Sequence, residues 1–244
     1  MVEHEGPRLD VDVNLDVNRA RHRIRAPLAG AAVLLVALFA AGCPEVQVNF
    51  SETETRSFEP SDYERVVERW TRDEEVYILD GLDNALTVTA TFESWEYRQA
   101  YIDRYAYDFR LTDPERQALE SEQRLELEGG HVFLVAATST KMQWSDLSAA
   151  DTPWKIRLVN DQGDVLAPFP EDHAPPGIEK VRNVTPAQQL YFPYINEFRT
   201  VFFLRFPRTM PDGAPFVRPG VEAFTLEFTG ALGRAELRWS SAAE

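Results

Sequence analysis

The chain after its only cysteine, Cys43, contains two histidines, His131 and His173. Histidine is the side chain best suited to act as a general base at neutral pH. A serine-histidine-acid triad would need one of them, but the chain contains no Gly-x-Ser-x-Gly segment to present a nucleophile. His131 leads into a hydrophobic run, and we interpret it as a strand-end residue. His173 follows Glu171 and Asp172 in a proline-rich loop. A metal site there would need further ligands, so we interpret His173 as an exposed loop histidine.

Carboxylates are abundant, with 40 Asp and Glu against 25 Lys and Arg and a net charge of -15. Adjacent acids such as Glu74 and Glu75 are therefore expected by chance, and sequence spacing does not show whether two carboxylates face each other across a cleft. Residues 161–164 (DQGD) lack the spacing of a calcium-binding EF-hand, and we interpret them as a hairpin turn. The sequence predicts no catalytic residue, no metal site and no cofactor.

Composition also excludes several classes of protein. The acidic balance argues against binding to a nucleic acid, because Lys and Arg supply the contacts to phosphate. No glycine-rich phosphate loop is present, so nucleotide binding has no support. A single cysteine excludes an intramolecular disulfide and a cysteine-based zinc site. The 44% hydrophobic content is enough for a folded core.

An aromatic stripe is the first candidate for recognition. Tyr97, Tyr101, Tyr105 and Phe109 are each four residues apart, which predicts one face of an amphipathic helix over residues 95–109. Core packing is the alternative to a partner-binding role, although tyrosine suits a partly wet interface. If the stripe is core, replacing Phe109 with alanine should cost about 3–5 kcal/mol.

Two proline-rich segments, 168–177 and 207–220, are the second candidate. Proline fixes φ, so these loops should be stiff, and a stiff loop binds a partner at a small cost in ordering. Phe169, His173, Met210 and Phe216 are the side chains that we expect to contact a partner. The alternative is that both segments are ordinary crossover loops.

The candidate recognition residues must be positioned by short segments in which apolar and polar residues alternate, separated by polar turns. A helix is predicted from Tyr63 to Trp70, and a capping box at Thr112 and Glu115 starts another short helix. The pair Gly129-Gly130 predicts a hairpin between strands at 124–128 and 131–136. The remaining predicted strands are 76–79, 86–92, 154–159, 164–167, 200–206, 224–228 and 235–239. We expect a mainly β fold over residues 61–244, an antiparallel β-sandwich with a short N-terminal helix and a helical insert near 94–121. In strand rhythm alone it is similar to the immunoglobulin-like modules of bacterial lipoproteins.

The N-terminal segment is the most informative part of the sequence. Four arginines in residues 19–25 precede an uncharged run over 26–42, which is typical of a secretory signal and short for a membrane-spanning helix. Residues 38–43 (LFAAGC) resemble the lipobox of bacterial lipoproteins, although Ala40 stands where leucine is favoured. The resemblance implies cleavage of residues 1–42, acylation of Cys43 with palmitate or a similar chain, and anchoring in the bacterial cell envelope, with the outer membrane expected. An uncleaved anchor is the alternative. Residues 43–60 are interpreted as an acidic tether.

These features predict a membrane-tethered envelope lipoprotein that acts as a non-catalytic binding or structural module. Its expected partners are membrane lipid through Cys43 and an envelope protein, which could make the chain a subunit of a larger assembly. The alternative is a periplasmic hydrolase that uses carboxylates or a bound cation. A concave site with acidic side chains around His173 would favour the hydrolase, and a flat aromatic surface would favour the binding module.

Overall fold

The computed structural model describes residues 46–78 and 83–241. Within them the chain forms ten strands in two five-stranded, mainly antiparallel sheets, together with four α-helices. The domain is thus a mixed α/β structure rich in strand, which confirms the predicted abundance of antiparallel strands. Cys43, the leader and the last residue of the predicted strand 76–79 lie outside the described residues.

The first sheet carries the residues that matter most for the site. Its strands are β2 (Thr71–Ile78), β3 (Asp83–Phe92), β4 (His131–Thr138), β7 (Ile178–Lys180) and β8 (Thr200–Phe206), in the order β2-β3-β4-β8-β7. All its neighbours are antiparallel. The predicted strand at 200–206 is confirmed, and as β8 it lies inside the sheet, paired with β4 on one side and β7 on the other.

The second sheet contains the two C-terminal strands. Its members are β1 (Gln47–Val48), β5 (Lys155–Asn160), β6 (Val165–Leu166), β9 (Ala223–Gly230) and β10 (Gly233–Ser241), in the order β1-β10-β9-β5-β6. The predicted hairpin turn at 161–164 is confirmed, and β9 and β10 form a second hairpin about residues 230–233. Gly163 and Gly233 supply the positive φ angles of 85° and 141° in these turns.

Aromatic side chains connect the two sheets. Phe92 of β3 lies 5.1 Å from Phe224 of β9, and Phe133 of β4 lies 5.3 Å from Trp239 of β10, measured between ring centroids. All four side chains are buried. Because such rings bury a large apolar area and their pairs add specific attraction, this cluster is the centre of the core.

Four helices accompany the sheets: α1 (Tyr63–Trp70), α2 (Trp95–Phe109), α3 (Asp113–Gly129) and α4 (Pro186–Tyr191). The first two have the predicted bounds. Ser94 caps the N-terminus of α2, where its hydroxyl accepts a hydrogen bond from the backbone N–H of Tyr97. Arg110 caps the C-terminus, and its φ of 52° is left-handed. Thr112 and Glu115 form the predicted capping box of α3.

Helix α3 is longer than the sequence indicated. It continues through Arg124–Gly129, where a strand was predicted, so the predicted hairpin about Gly129-Gly130 is wrong. In a strand Leu125 and Leu127 would share a face, but Leu125 is 69% exposed whereas Leu127 is 5% exposed and packs beside Trp95. Glu, Gln, Arg and Leu are strong helix formers, and their propensity outweighs a short alternation.

The segment before α1 belongs to the domain. Val48 is buried in β1, and the ring of Phe50 lies 5.0 Å from that of Phe224. Arg56 pairs with the buried Glu96, and its backbone N–H donates to Gln99. The prediction of a free tether is therefore wrong for residues 46–60, whose apolar side chains at 48, 50 and 58 pack against the core.

Gly129 and Gly130 allow a direct test of the helix boundary. A Cβ on Gly130 would lie 2.6 Å from the carbonyl oxygen of Phe206, whereas a Cβ on Gly129 would have no atom within 4 Å. We expect Gly130→Ala to lower the free energy of unfolding by about 1–3 kcal/mol through overpacking. Gly129→Ala should leave it unchanged or raise it by up to about 1 kcal/mol, since alanine favours the helix. Urea denaturation measures both, and equal effects would contradict the boundary.

Candidate functional site

A cleft of about 790 Å³ is the candidate site. Its volume is within the range of small-molecule sites, about 300–1,000 Å³. It gathers five of the seven side chains that the sequence proposed for partner binding: Tyr97, Tyr101, Tyr105, Phe169 and His173. The other lining residues are Gln123, Leu125, Glu126, Gly129 and Gly130 from α3 and just after it, Thr185, Ala187, Gln188, Tyr191 and Phe192 in and around α4, Pro175 in the loop before β7, and Glu93, Val132, Glu179, Phe203 and Arg205 in or beside the first sheet.

Tyrosines of α2 and α4 form an aromatic wall. The ring of Tyr101 lies 5.5 Å from that of Tyr105 and 5.4 Å from that of Tyr191, the latter at 78°. Tyr97 is buried, whereas Tyr101 and Tyr105 are partly exposed. Burial raises the pKa of Tyr101, so its hydroxyl stays protonated at neutral pH. The wall is uncharged and offers both ring faces and hydroxyl groups.

Phe109 does not continue this wall into the core. Its side chain is 54% exposed, and it contacts the wall only through a stack on Tyr105 at 4.3 Å. The expectation that Phe109 is a core residue is therefore wrong. It occupies the last position of α2, where the helix extends beyond the sheets' apolar contacts.

The loop over residues 167–177 carries the second aromatic element. The rings of Phe169 and His173 are stacked at 4.0 Å and 8°, and the Nδ1 of His173 lies 2.7 Å from the carbonyl oxygen of Pro175. Backbone hydrogen bonds to Arg205 of β8 fasten both ends of the loop, one through Phe169 and one through Gly177. The predicted position of His173 in an exposed loop is confirmed.

A buried guanidinium lies beneath the cleft. Arg98 is completely buried, and its Nη2 pairs with Glu93 at 2.8 Å while its Nη1 donates to Glu126 at 2.7 Å and to Gln123 at 2.7 Å. Burial raises the pKa of Glu93, and the positive charge of Arg98 opposes that rise. Two carboxylates from different elements are thus held on one cation.

The sequence contained a signal for this residue. Arg98 lies three residues after Trp95 and four before Ile102, which is the spacing of one helix face, and both neighbours are buried. The aromatic stripe drew attention to the adjacent face instead. Glu96, on another face of the same helix, is also buried, and it accepts hydrogen bonds from Trp70 and Arg69. Helix α2 is covered on several sides.

A second ion pair lies in the first sheet. Arg205 of β8 donates to Glu179 of β7 at 2.8 Å, and its guanidinium lies 4.9 Å from the ring centre of Phe203. Each carboxylate of the cleft therefore has an arginine partner. Among the described residues there is no group of three or more histidine, cysteine or acidic side chains that could hold a metal ion.

Two predicted contact residues lie elsewhere. Phe216 is completely buried, with its ring 5.8 Å from that of His131, so it belongs to the core and not to a surface. Met210 is partly buried against the same core. The loop over 207–220 does not line the cleft, because its aromatic side chain turns inward to fill the space between the sheets.

His131 begins β4, as predicted, and it is buried between Phe92 and Phe216. Burial lowers the pKa of its imidazole to about 3, with a smaller contribution from the nearby positive charge of Arg208. Its Nε2 is buried and has no hydrogen-bond partner among the described residues. His131 is therefore a neutral core residue.

The buried imidazole predicts a pH dependence of stability. The unfolded chain binds a proton at His131 below about pH 6.5 and the folded chain does not, so the free energy of unfolding should fall as the pH falls, with a slope that approaches about 1.4 kcal/mol per pH unit below that pH. His131→Leu should remove this slope between pH 7 and 5.5 in urea denaturation. His173→Ala is the matched control and should keep it. An unchanged slope in His131→Leu would disprove the assignment.

No helix in the described residues is long and apolar enough to cross a membrane. Comparisons of the chain with protein-family models, with curated proteins and with solved structures give no match.

Proposed function

We propose that this protein is an envelope lipoprotein, anchored in the outer membrane through acylated Cys43, whose domain is a non-catalytic binding module. The anchoring rests on residues 38–43 of the sequence. The observation that carries the binding role is the cleft, which combines five independently predicted recognition residues on helices and a fastened loop. Sites on rigid elements bind at a small ordering cost. We also propose that the two sheets pack face to face as an antiparallel sandwich, supported by the aromatic contacts between β3, β4, β9 and β10. An immunoglobulin-like topology stays a prediction.

Because residues 46–60 pack on the domain, the distance between the proposed lipid anchor at Cys43 and the domain is short. Only two residues, Pro44 and Glu45, lie between Cys43 and Val46, where the described chain begins. The three Cα–Cα steps from Cys43 to Val46 span about 10 Å when fully extended, so an acylated Cys43 would hold the domain directly against the lipid surface. Two or three acyl chains are enough for stable anchoring. We expect the mature protein to begin at an acylated Cys43, and Cys43→Ala to abolish both processing and membrane attachment, measured by mass spectrometry of the membrane fraction.

A photo-crosslinking experiment tests the cleft. Leu125 lines it and is 69% exposed, whereas Tyr107 is 68% exposed on α2 and lies outside the lining. With p-benzoylphenylalanine in place of Leu125, irradiation of intact cells should add the mass of the natural ligand to the protein. The same residue in place of Tyr107 should add nothing. Equal labelling at both positions, or none at Leu125, would contradict a binding role for the cleft.

A hydrolase is the second candidate, and one observation favours it. Glu93 and Glu126 lie on the two terminal nitrogens of the same guanidinium, and burial raises the pKa of Glu93 towards the range of a general acid. Glycosidases use a pair of carboxyl groups, one of which acts as a general acid. Turnover of a glycoside substrate that disappears in Glu93→Gln but survives in Glu179→Gln would establish this function in place of the binding module.

A further inference from the structure

Every carboxylate of the cleft is paired with an arginine, but three negative charges meet only two positive ones. Glu93 and Glu126 share Arg98, and Glu179 is paired with Arg205. An anionic ligand would meet the excess negative charge, and a cationic ligand would have to compete with Arg98 or Arg205 for a carboxylate that is already paired; both are costly in a partly desolvated site. The lining therefore favours a ligand that is neutral.

The side-chain amides of Gln123 and Gln188 are held through their oxygens, so that their NH₂ groups are available to donate hydrogen bonds to a ligand. The Oε1 of Gln123 accepts a hydrogen bond from Arg98, and the Oε1 of Gln188 accepts one from the backbone N–H of Thr185. In both side chains the NH₂ group forms no hydrogen bond within the described residues. Each NH₂ group can donate two hydrogen bonds to a ligand, and the hydroxyl groups of Tyr101 and Tyr105 on the aromatic wall can each donate one.

Aromatic faces complete the set of contacts. The tyrosine wall and the stacked rings of Phe169 and His173 are flat aromatic surfaces that suit C–H groups, which pack on the negative face of a π-system. A ligand that matches both sets must be neutral and must carry flat C–H faces together with hydroxyl edges. Cyclic sugars have this combination.

Resting on the proposed function, we infer that the ligand of the cleft is a neutral oligosaccharide. The sugar rings pack on Tyr105 and its neighbours, and their hydroxyl groups accept hydrogen bonds from Gln123 and Gln188. A neutral peptide is the competing ligand, because its amides could use the same donors, but it would leave the ring faces unmatched at its polar backbone.

Calorimetric titration of the full-length protein tests the inference, in a detergent without a sugar head group. The probes are neutral oligomers of glucose and of N-acetylglucosamine, a sulfated oligosaccharide and a neutral tetrapeptide. We expect at least one neutral sugar to bind, with an affinity that changes by less than about twofold between about 50 and 500 mM salt. Tyr105→Ala and Gln188→Ala should each weaken binding by roughly tenfold, and Tyr107→Ala should not.

Each other outcome overturns the inference in a recognisable way. Preferential binding of the sulfated sugar, or of the tetrapeptide, would show the wrong ligand class while the crosslink at Leu125 still supports a binding cleft. Neutral-sugar binding that Tyr105→Ala and Gln188→Ala leave unchanged would place the sugar elsewhere. No binding of any probe, together with no crosslink at Leu125, would overturn the proposed function as well.

Discussion

Replacing Arg98 with methionine is expected to lower the free energy of unfolding by about 3–5 kcal/mol, because it leaves the buried carboxylate of Glu93 without its cation. Burial already raises the pKa of Glu93. A raised pKa favours the folded state below the carboxyl's unfolded pKa, and this contribution is lost as the pH rises through the folded pKa. The destabilisation should therefore be larger at pH 7 than at pH 4, in urea denaturation at both values.

An exposed arginine provides the control for this prediction. Arg65 pairs with Asp62 at 2.7 Å, but its side chain is 69% exposed. Arg65→Met should cost less than about 1 kcal/mol, since surface ion pairs contribute little. The double variant Arg98→Met with Glu93→Leu should recover much of the loss, because no buried charge is then unpaired. If Arg98→Met were as mild as Arg65→Met, the buried charge cluster would not exist as described.

Replacing Phe224 with alanine is expected to cost about 3–5 kcal/mol. Its side chain is 1% exposed, and its ring lies within 5.5 Å of those of Phe50, Phe92 and Trp239. The variant leaves a cavity among side chains of both sheets and of the N-terminal segment. Thermal and urea denaturation of the full chain should show the loss.

Phe109→Ala is the matched control, with the same change at an exposed ring. It removes one stacked contact on Tyr105, so it should cost about 0.5–1.5 kcal/mol, well below the value expected from the aromatic stripe alone. A large effect at Phe109 together with a small one at Phe224 would reverse the placement of both residues.

Local signals in the sequence were enough for most secondary structure. Capping residues and four-residue spacing located α1 and α2, and clean alternation located β9 and β10. These signals depend on contacts within one element, and such contacts repeat at the period of that element. The end of α3 was missed because five residues of alternation fit a helix turn as well as a strand, and only the burial of Leu127 against Trp95 separates the two.

The packing of residues 46–60 on the domain was missed for a related reason. Residues 46–60 are polar and acidic on average, and average composition predicts a solvated coil. Their few apolar side chains at 48, 50 and 58 nevertheless pack on the core, and β1 pairs with β10 at the far end of the chain. Pairing between residues so distant in sequence leaves no local signature.

By itself the sequence determined which side chains could recognise a partner, because residue type sets their chemistry: the tyrosines of α2, and Phe169 and His173 in a proline-rich loop. Only the tertiary structure decided that these lie in one cleft, that Phe216 does not, and that Arg98 holds Glu93 and Glu126 together. The reason is physical. A cleft and a buried charge cluster arise from contacts between elements far apart in the chain, and their energies depend on burial, which is a property of the packed molecule.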